Sequence, residues 1–195
     1  NCPEDIRMLD MENILRFFAI TDIENTEFYK KNQIILKKFL NEYMSQNSNI
    51  DTNKYESLKS SFENIMHLIN ISLGNIAFNN LSFKNKNNQE VAYSETYVPK
   101  FHPTIFEAIS AAFLYASKHI DLSKYDFSEL KEKHIKLLNN EEFKDSISNR
   151  TTNLENIKKR ITLATKYLFD IDYDWKCSIH SGLSIGINQY KKFYN

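Results

Sequence analysis

Apolar side chains recur at intervals of three and four residues along most of this chain, and this spacing most constrains its fold. The clearest case lies between Thr52 and Leu73, and its apolar positions are Tyr55, Leu58, Phe62, Ile65, Met66, Ile69 and Leu73. This spacing puts the apolar side chains on one face of an α-helix, which has 3.6 residues per turn. Gly74 follows directly, and a glycine there is typical of a helix end. The pattern predicts a helix over residues 52–73.

Similar patterns predict further helices on both sides of this stretch. Thr104 and Thr152 each stand three residues before a glutamate, a spacing typical of a capping box at the start of a helix. Asp10 is a suitable N-cap for the first helix. The expected ranges of these helices, all approximate, are 10–19, 26–44, 104–119, 123–138, 143–147 and 152–168.

Turn-forming residues are scarce, and this favours helices over strands. The chain of 195 residues has only three Gly and three Pro, whereas proteins with many strands need many turn residues. We therefore predict an all-α fold, a single-core bundle of six to eight helices formed by residues 1–195 as one domain. An Asn- and Lys-rich stretch at 81–100 is expected to be a long surface loop or to contain a short hairpin. The tail at 170–195 carries no clear pattern.

Charge and cysteine content exclude few classes of protein. Lys plus Arg and Asp plus Glu both number 25, so the net charge is zero and no overall field attracts nucleic acid or a membrane surface. No apolar run approaches the roughly 18–20 residues of a membrane span. Cys2 and Cys177 are far apart and fit no metal site, which favours a reduced, cytoplasmic setting without a metal or another cofactor.

Two groups of residues could carry a function beyond packing. Cys177 and His180 could form a nucleophile and base, although no oxyanion-binding loop is recognisable nearby. Lys158, Lys159 and Arg160 are expected to point largely outward and could contact phosphates, as in a nucleic-acid-binding helical module. With zero net charge, an ordinary solvated surface is the simpler interpretation of these cations.

The segment 7–19 combines charges with large apolar residues. Glu12 and Arg16 are four residues apart and therefore share a face of the expected helix. Ile14, Leu15, Phe17 and Phe18 make that helix apolar around most of its circumference, which predicts burial on several sides. Since Arg16 stands between Leu15 and Phe17, its charge needs a partner or a place at the rim.

The order of these features resembles the helical part of the GmrSD-type family of modification-dependent restriction enzymes, which act in bacterial defence against phage. The resemblance extends over about residues 7–168. It rests on Arg7-Met8, Asp10, Glu12, Leu15-Arg16-Phe17-Phe18-Ala19, Phe39-Leu40-Asn41, Phe62, Gly74, Ala77-Phe78, Phe106-Glu107-Ala108 and Arg160-Ile161.

The resemblance implies that catalysis takes place outside this chain. Members of that family carry a ParB-like nucleotide-binding domain with an Asp-Gly-Gln-Gln-Arg motif before the helical part, and many carry an HNH nuclease domain after it. Neither motif occurs here. The chain is therefore expected to be a non-catalytic scaffold, a fragment of an NTP-dependent DNA endonuclease, and it begins with Asn1 rather than Met. Its expected partners are the missing N-terminal domain and DNA.

By position, the resemblance assigns a role to four residues only. Arg7, Asp10, Glu12 and Arg16 would form a polar cluster that braces the helical part or docks the missing domain. No catalytic residue and no metal ligand of the family can be placed on this sequence.

Overall fold

The computed structural model describes residues 4–30 and 34–175, with side chains from Asp10 onward. This part of the chain is mostly helical, and its seven α-helices agree with the expected six to eight. The elements in chain order are α1 (Glu4–Thr21), α2 (Leu36–Gln46), α3 (Thr52–Leu73), β1 (Asn79–Leu81), β2 (Tyr97–Phe101), α4 (Pro103–His119), α5 (Leu130–Asn139), α6 (Glu141–Ser148) and α7 (Leu154–Phe169).

Helix α3 has the bounds that the sequence predicts. Asp51 caps its start, because the Asp51 carboxylate accepts a hydrogen bond of 2.8 Å from the Lys54 backbone N–H. Gly74 ends it with a φ of 59°, a conformation that residues with a Cβ rarely adopt. Both ends are therefore set by local sequence.

Two short strands correct the expectation of an all-α fold. β1 and β2 pair in antiparallel orientation, with Asn79 opposite Phe101 and Leu81 opposite Tyr97. The connecting residues 82–96 contain one further bridge, between Lys84 and Glu90. This pairing satisfies backbone polar groups on either side of the long connection, which a single extended loop would leave to water. The stretch is a hairpin with a long loop.

The centre of the molecule is α4, and every residue of this helix from Thr104 to Ala116 is buried. Ala108 and Ala112 are 0 % exposed, and their small side chains allow neighbouring helices to come close. Helix α1 packs on both α4 and α2, and the ring of Phe17 lies edge-to-face against Phe62 of α3. Met11 is 70 % exposed and Ile14 is 40 % exposed, so the expected burial on several sides holds for the second half of α1 and is wrong for the first.

The buried apolar residues form two clusters rather than the single core that was expected. One cluster joins α3 and α4 to the hairpin, α5, α6 and the end of α7. The other lies between the end of α1, α2 and the first half of α7. Phe18 packs against both clusters.

The expected helix at 26–44 is wrong in its first half. Ile23–Asn25 and Glu27–Lys30 form short 3-10 turns, and α2 begins only at Leu36. The rings of Phe28 and Phe39 lie 5.2 Å apart in an edge-to-face contact. In one continuous helix these residues would be about 16 Å apart along the axis. The chain therefore turns so that Phe28 can reach Phe39.

Two expected helix starts and the expected capping role of Thr104 are also wrong. Asp10 lies inside α1, which begins at Glu4. Helix α4 begins at Pro103, and the Thr104 hydroxyl donates to the carbonyl oxygen of Ile147 at 3.3 Å instead of capping its own helix. Helix α5 begins at Leu130 and not near Ser123, since the side chains of Asp121 and Asp126 accept bonds from backbone N–H groups two residues later. Such local bonds compete with helix formation.

Helix α7 offers a direct test of capping. Its N-cap is Asn153, whose side chain accepts a bond of 3.1 Å from the Glu155 N–H, and not the expected Thr152. We expect Asn153→Ala to lower the free energy of unfolding by about 1 kcal/mol. Thr152→Ala, the matched control, should change it by less than about 0.5 kcal/mol. Urea unfolding of both variants measures the difference, and an equal loss in both would contradict this cap.

Candidate functional site

Four charged side chains form a continuous row of ion pairs, here called the charge row: Glu12, Arg16, Glu107 and Arg160. Arg16 Nη2 lies 2.6 Å from Glu12 Oε1, and Arg16 Nη1 lies 2.9 Å from Glu107 Oε1. The other Glu107 oxygen, Oε2, accepts a hydrogen bond from Arg160 Nη2. Two carboxylates and two guanidinium groups balance, so the row has no net charge. It connects α1, α4 and α7.

Burial increases along the charge row toward the interior. The exposed fraction of the side chain falls from 44 % at Glu12 to 17 % at Arg16 and 1 % at Glu107 and Arg160. Arg160 Nη1 also donates to the carbonyl oxygens of Ser146 at 3.3 Å and Thr151 at 2.8 Å. The guanidinium of Arg160 therefore also holds α6 and the loop before α7.

The two guanidinium groups respond differently to their surroundings. Burial lowers the pKa of Arg160, although Glu107 opposes this change. Burial would also lower the pKa of Arg16, but Glu107 and Glu12 together raise it. Arginine begins so far above neutral pH that both groups stay protonated. The two guanidinium groups are thus permanently charged members of an ionic brace.

Part of the polar cluster expected on α1 occurs in the structure. Glu12 and Arg16 pair as their spacing predicts. Asp10 is exposed, and the side chain of Arg7 lies outside the described residues. Glu107 was not expected as a site residue, because its position three residues after Thr104 is typical of a capping role. A glutamate within the run Ile105-Phe106-Glu107-Ala108-Ile109 was itself a signal, since a buried carboxylate needs a partner.

The three residues that were expected to contact phosphates lie in different surroundings. Arg160 is 1 % exposed, so the expectation that it points outward is wrong; its position is explained by the carboxylate of Glu107. Lys158 Nζ lies 3.9 Å from the ring centre of Tyr29 and 5.5 Å from that of Trp175, a cation–π arrangement within the fold. Lys159 is half-buried. Cys177 and His180 lie outside the described residues.

An apolar groove of about 1120 Å³ runs between α1 and α2. Of the side chains that line it, Met11 is 70 % exposed and Met44 is 53 % exposed. Its remaining lining residues are Glu12, Ile14, Leu15, Phe18, Leu36, Lys37, Leu40 and Asn41. Since Glu12 is the outer end of the charge row, the groove and the ionic brace meet on α1.

Among the side chains that the structure describes, those of residues 10–30 and 34–175, no three of His, Cys, Asp or Glu are grouped in a way that could bind a metal ion. Among the helices of this same part, none combines the length and the apolarity that crossing a bilayer requires.

Comparison of the chain with protein-family models, curated proteins and solved structures finds no match. The resemblance to GmrSD-type restriction enzymes therefore stays a prediction.

Proposed function

We propose that this chain is a helical scaffold or interaction domain without catalysis of its own, in a restriction-like defence protein. The observation that carries this proposal is that the charged side chains in the interior form ion pairs with one another. Glu107 and Arg160 are completely enclosed, and each pairs with the other rather than facing a cleft. Their pairing joins α4 to α7, and the pair between Arg16 and Glu107 joins α1 to α4, as a scaffold requires.

The groove between α1 and α2 supports the interaction part of the proposal. Met11 and Met44 are exposed apolar side chains on adjacent helices. Exposed apolar patches are typical of sites where a protein partner binds, and flexible Met side chains adapt to a partner surface. The partner that we propose is the nucleotide-binding domain of the same parent protein, which would dock on α1 beside Glu12 and Arg16.

The placement of the cations disfavours the alternative, a nucleic-acid-binding module. Of the three residues expected to contact phosphates, Arg160 is enclosed by Glu107 and Lys158 lies against aromatic rings. Lys159 alone would be left for such a contact among these three. A protein that neutralises several phosphates needs several free cations on one surface.

The decisive assays measure turnover and DNA affinity of the purified chain. We expect no hydrolysis of nucleotides or DNA, and a dissociation constant for duplex DNA of about 10⁻⁴ M or weaker near 0.15 M salt. Affinity should depend only weakly on salt. Clear turnover that is lost on substituting a residue of this chain would overturn the proposal. Tighter binding that falls steeply with salt, and that Lys159→Ala reduces while Lys54→Ala does not, would favour the DNA-binding alternative.

The coding sequence immediately upstream of Asn1 tests the proposed parent protein independently. A nucleotide-binding domain with an Asp-Gly-Gln-Gln-Arg motif there would support the proposal. A start codon directly before Asn1 would remove the proposed partner.

A further inference from the structure

Residues 170–175 run back over the second apolar cluster after α7 ends, and they are here called the strap. Asp170 turns the chain with a φ of 58°. The ring of Tyr173 then stacks on Tyr115 of α4 at 4.1 Å between ring centres, and it contacts Trp175 at 4.3 Å with the two rings tilted. These aromatic contacts hold the strap against the helices.

Three hydrogen bonds fix the end of the strap. The Asp174 N–H donates to the Tyr115 hydroxyl at 3.0 Å. The Trp175 indole N–H donates to the Thr162 hydroxyl at 2.9 Å, and the Trp175 carbonyl oxygen accepts from the Tyr29 hydroxyl at 3.1 Å. The strap thereby contacts α4, α7 and the 3-10 turn Glu27–Lys30.

Glu24 lies on the neighbouring 3-10 turn, and its carboxyl group is enclosed without a hydrogen-bond donor. Both of its oxygens are inaccessible to solvent and find no partner among residues 4–30 and 34–175. A carboxylate in this state lacks the bonds that normally compensate for the loss of water. Burial raises the pKa of Glu24 to about 7; the ammonium of Lys158 opposes this increase, and the carboxylate of Asp174 adds to it.

The groups around Glu24 come from every element packed there. Lys158 on α7 is the cation that acts on Glu24, and Asp174 of the strap is the anion. Burial raises the pKa of Tyr173 of the strap, and Glu24, Tyr115 and Tyr29 add to this increase. Asp22 stands directly before this turn and acts on Lys118 of α4, and His119 of α4 stacks on Tyr115.

We propose that the strap is a pH-sensitive latch, closed while Glu24 is protonated and released when Glu24 ionises. An ionised Glu24 beside the closed strap would have neither water nor a donor, and it would experience the like charge of Asp174. Release of the strap brings water to the carboxylate and separates the two acids. Lys158, whose ammonium lies between Tyr29 and Trp175, offsets this only in part.

The direction of the pH dependence follows from the raised pKa of Glu24. The closed state is favoured fully below the ordinary value of 4.5 for a glutamate, and this advantage is lost as the pH rises through about 7. The strap should therefore be closed in mildly acidic solution and open in mildly alkaline solution.

Trp175 is the only tryptophan of the chain, so its fluorescence reports on the strap directly. We expect acrylamide quenching of Trp175 to increase at least twofold between pH 5.5 and pH 8.5, a range that contains the raised pKa of Glu24. Far-UV circular dichroism should stay constant over the same range. Glu24→Gln and Glu24→Met should abolish the transition and keep the quenching low throughout.

Two control variants separate Glu24 from its neighbours. Glu155→Gln removes an exposed carboxylate of α7, and His119→Gln removes the imidazole that stacks on Tyr115; both should keep the wild-type midpoint. Quenching that does not change with pH would overturn the proposal, as would a transition that persists in both Glu24 variants or disappears in His119→Gln. A parallel loss of circular dichroism would also overturn it, because global unfolding would then explain the signal.

Discussion

Glu107→Gln is expected to lower the free energy of unfolding by about 3–5 kcal/mol, the usual cost of leaving a buried charge without its partner. Arg160 is 1 % exposed, and Glu107 supplies its only carboxylate among the described residues. A neutral amide keeps the size of the side chain but removes the negative charge. Arg16 loses one of its two carboxylates at the same time.

The charge row also predicts an order of effects. Arg160→Met should cost less than Glu107→Gln, because Glu107 keeps its pair with Arg16 at 2.9 Å. Arg16→Met should cost least, because Glu12 is 44 % exposed and water can replace the lost bond. The double variant Glu107→Gln/Arg160→Met should be more stable than Glu107→Gln alone, because it no longer buries an unpaired guanidinium.

Urea unfolding of these four variants measures the free energy of unfolding of each and thus their order. Lys136→Met, which removes a cation from an exposed pair with Glu132, is the control and should change the free energy of unfolding by less than about 1 kcal/mol. If Glu107→Gln behaved like this control, the charge row would not be the brace that the scaffold proposal requires.

A helix was predicted correctly where residues typical of helix ends stand on both sides of an apolar stripe. Thr52–Leu73 is such a case, because Asp51 and Gly74 mark its ends locally. Helix α2 is the opposite case: Phe28 and Phe39 fit one helical stripe, and only their mutual contact at 5.2 Å shows that the chain turns between them. Periodicity cannot distinguish a long helix from two segments that fold onto each other.

In the candidate site, too, the sequence predicts contacts between residues close in the chain and not those between distant residues. The pair Glu12–Arg16 is separated by four residues and follows from helix geometry. Glu107 is 91 residues from Arg16 and 53 from Arg160, so no local pattern connects them. Lys158 was likewise expected to point outward. Its ring partners, Tyr29 and Trp175, come from other parts of the chain, so no local pattern indicates them. Distant contacts determine which charges are enclosed.

The second large effect concerns acid stability and His134. This side chain is 0 % exposed; its Nδ1 is hydrogen-bonded to the Tyr97 hydroxyl at 2.9 Å, and its Nε2 has no partner among the described residues. Burial lowers the pKa of His134 to about 4 and raises that of Tyr97 to about 12. At neutral pH the imidazole is therefore uncharged, and it shares one hydrogen bond with the Tyr97 hydroxyl.

The unfolded chain binds a proton at His134 more readily than the folded chain does. The stabilisation is fully present above the ordinary pKa of 6.5 and is lost as the pH falls toward about 4. We expect this residue to account for a loss of about 2–3 kcal/mol between pH 7 and pH 4.5. His134→Leu should remove that share of the pH dependence, as measured by urea unfolding at both pH values. His67→Asn, at an exposed position of α3, should leave it unchanged.

Glu24 and His134 act in opposite directions within the same pH range. Acidification from pH 7 to 4.5 favours the protonated Glu24 that keeps the strap closed, while it destabilises the fold around the uncharged His134. Glu24→Gln should therefore make the acid-induced loss of stability steeper than in the wild type, and His134→Leu should make it shallower. If both substitutions changed the slope in the same direction, the opposing roles of these two buried groups would be wrong.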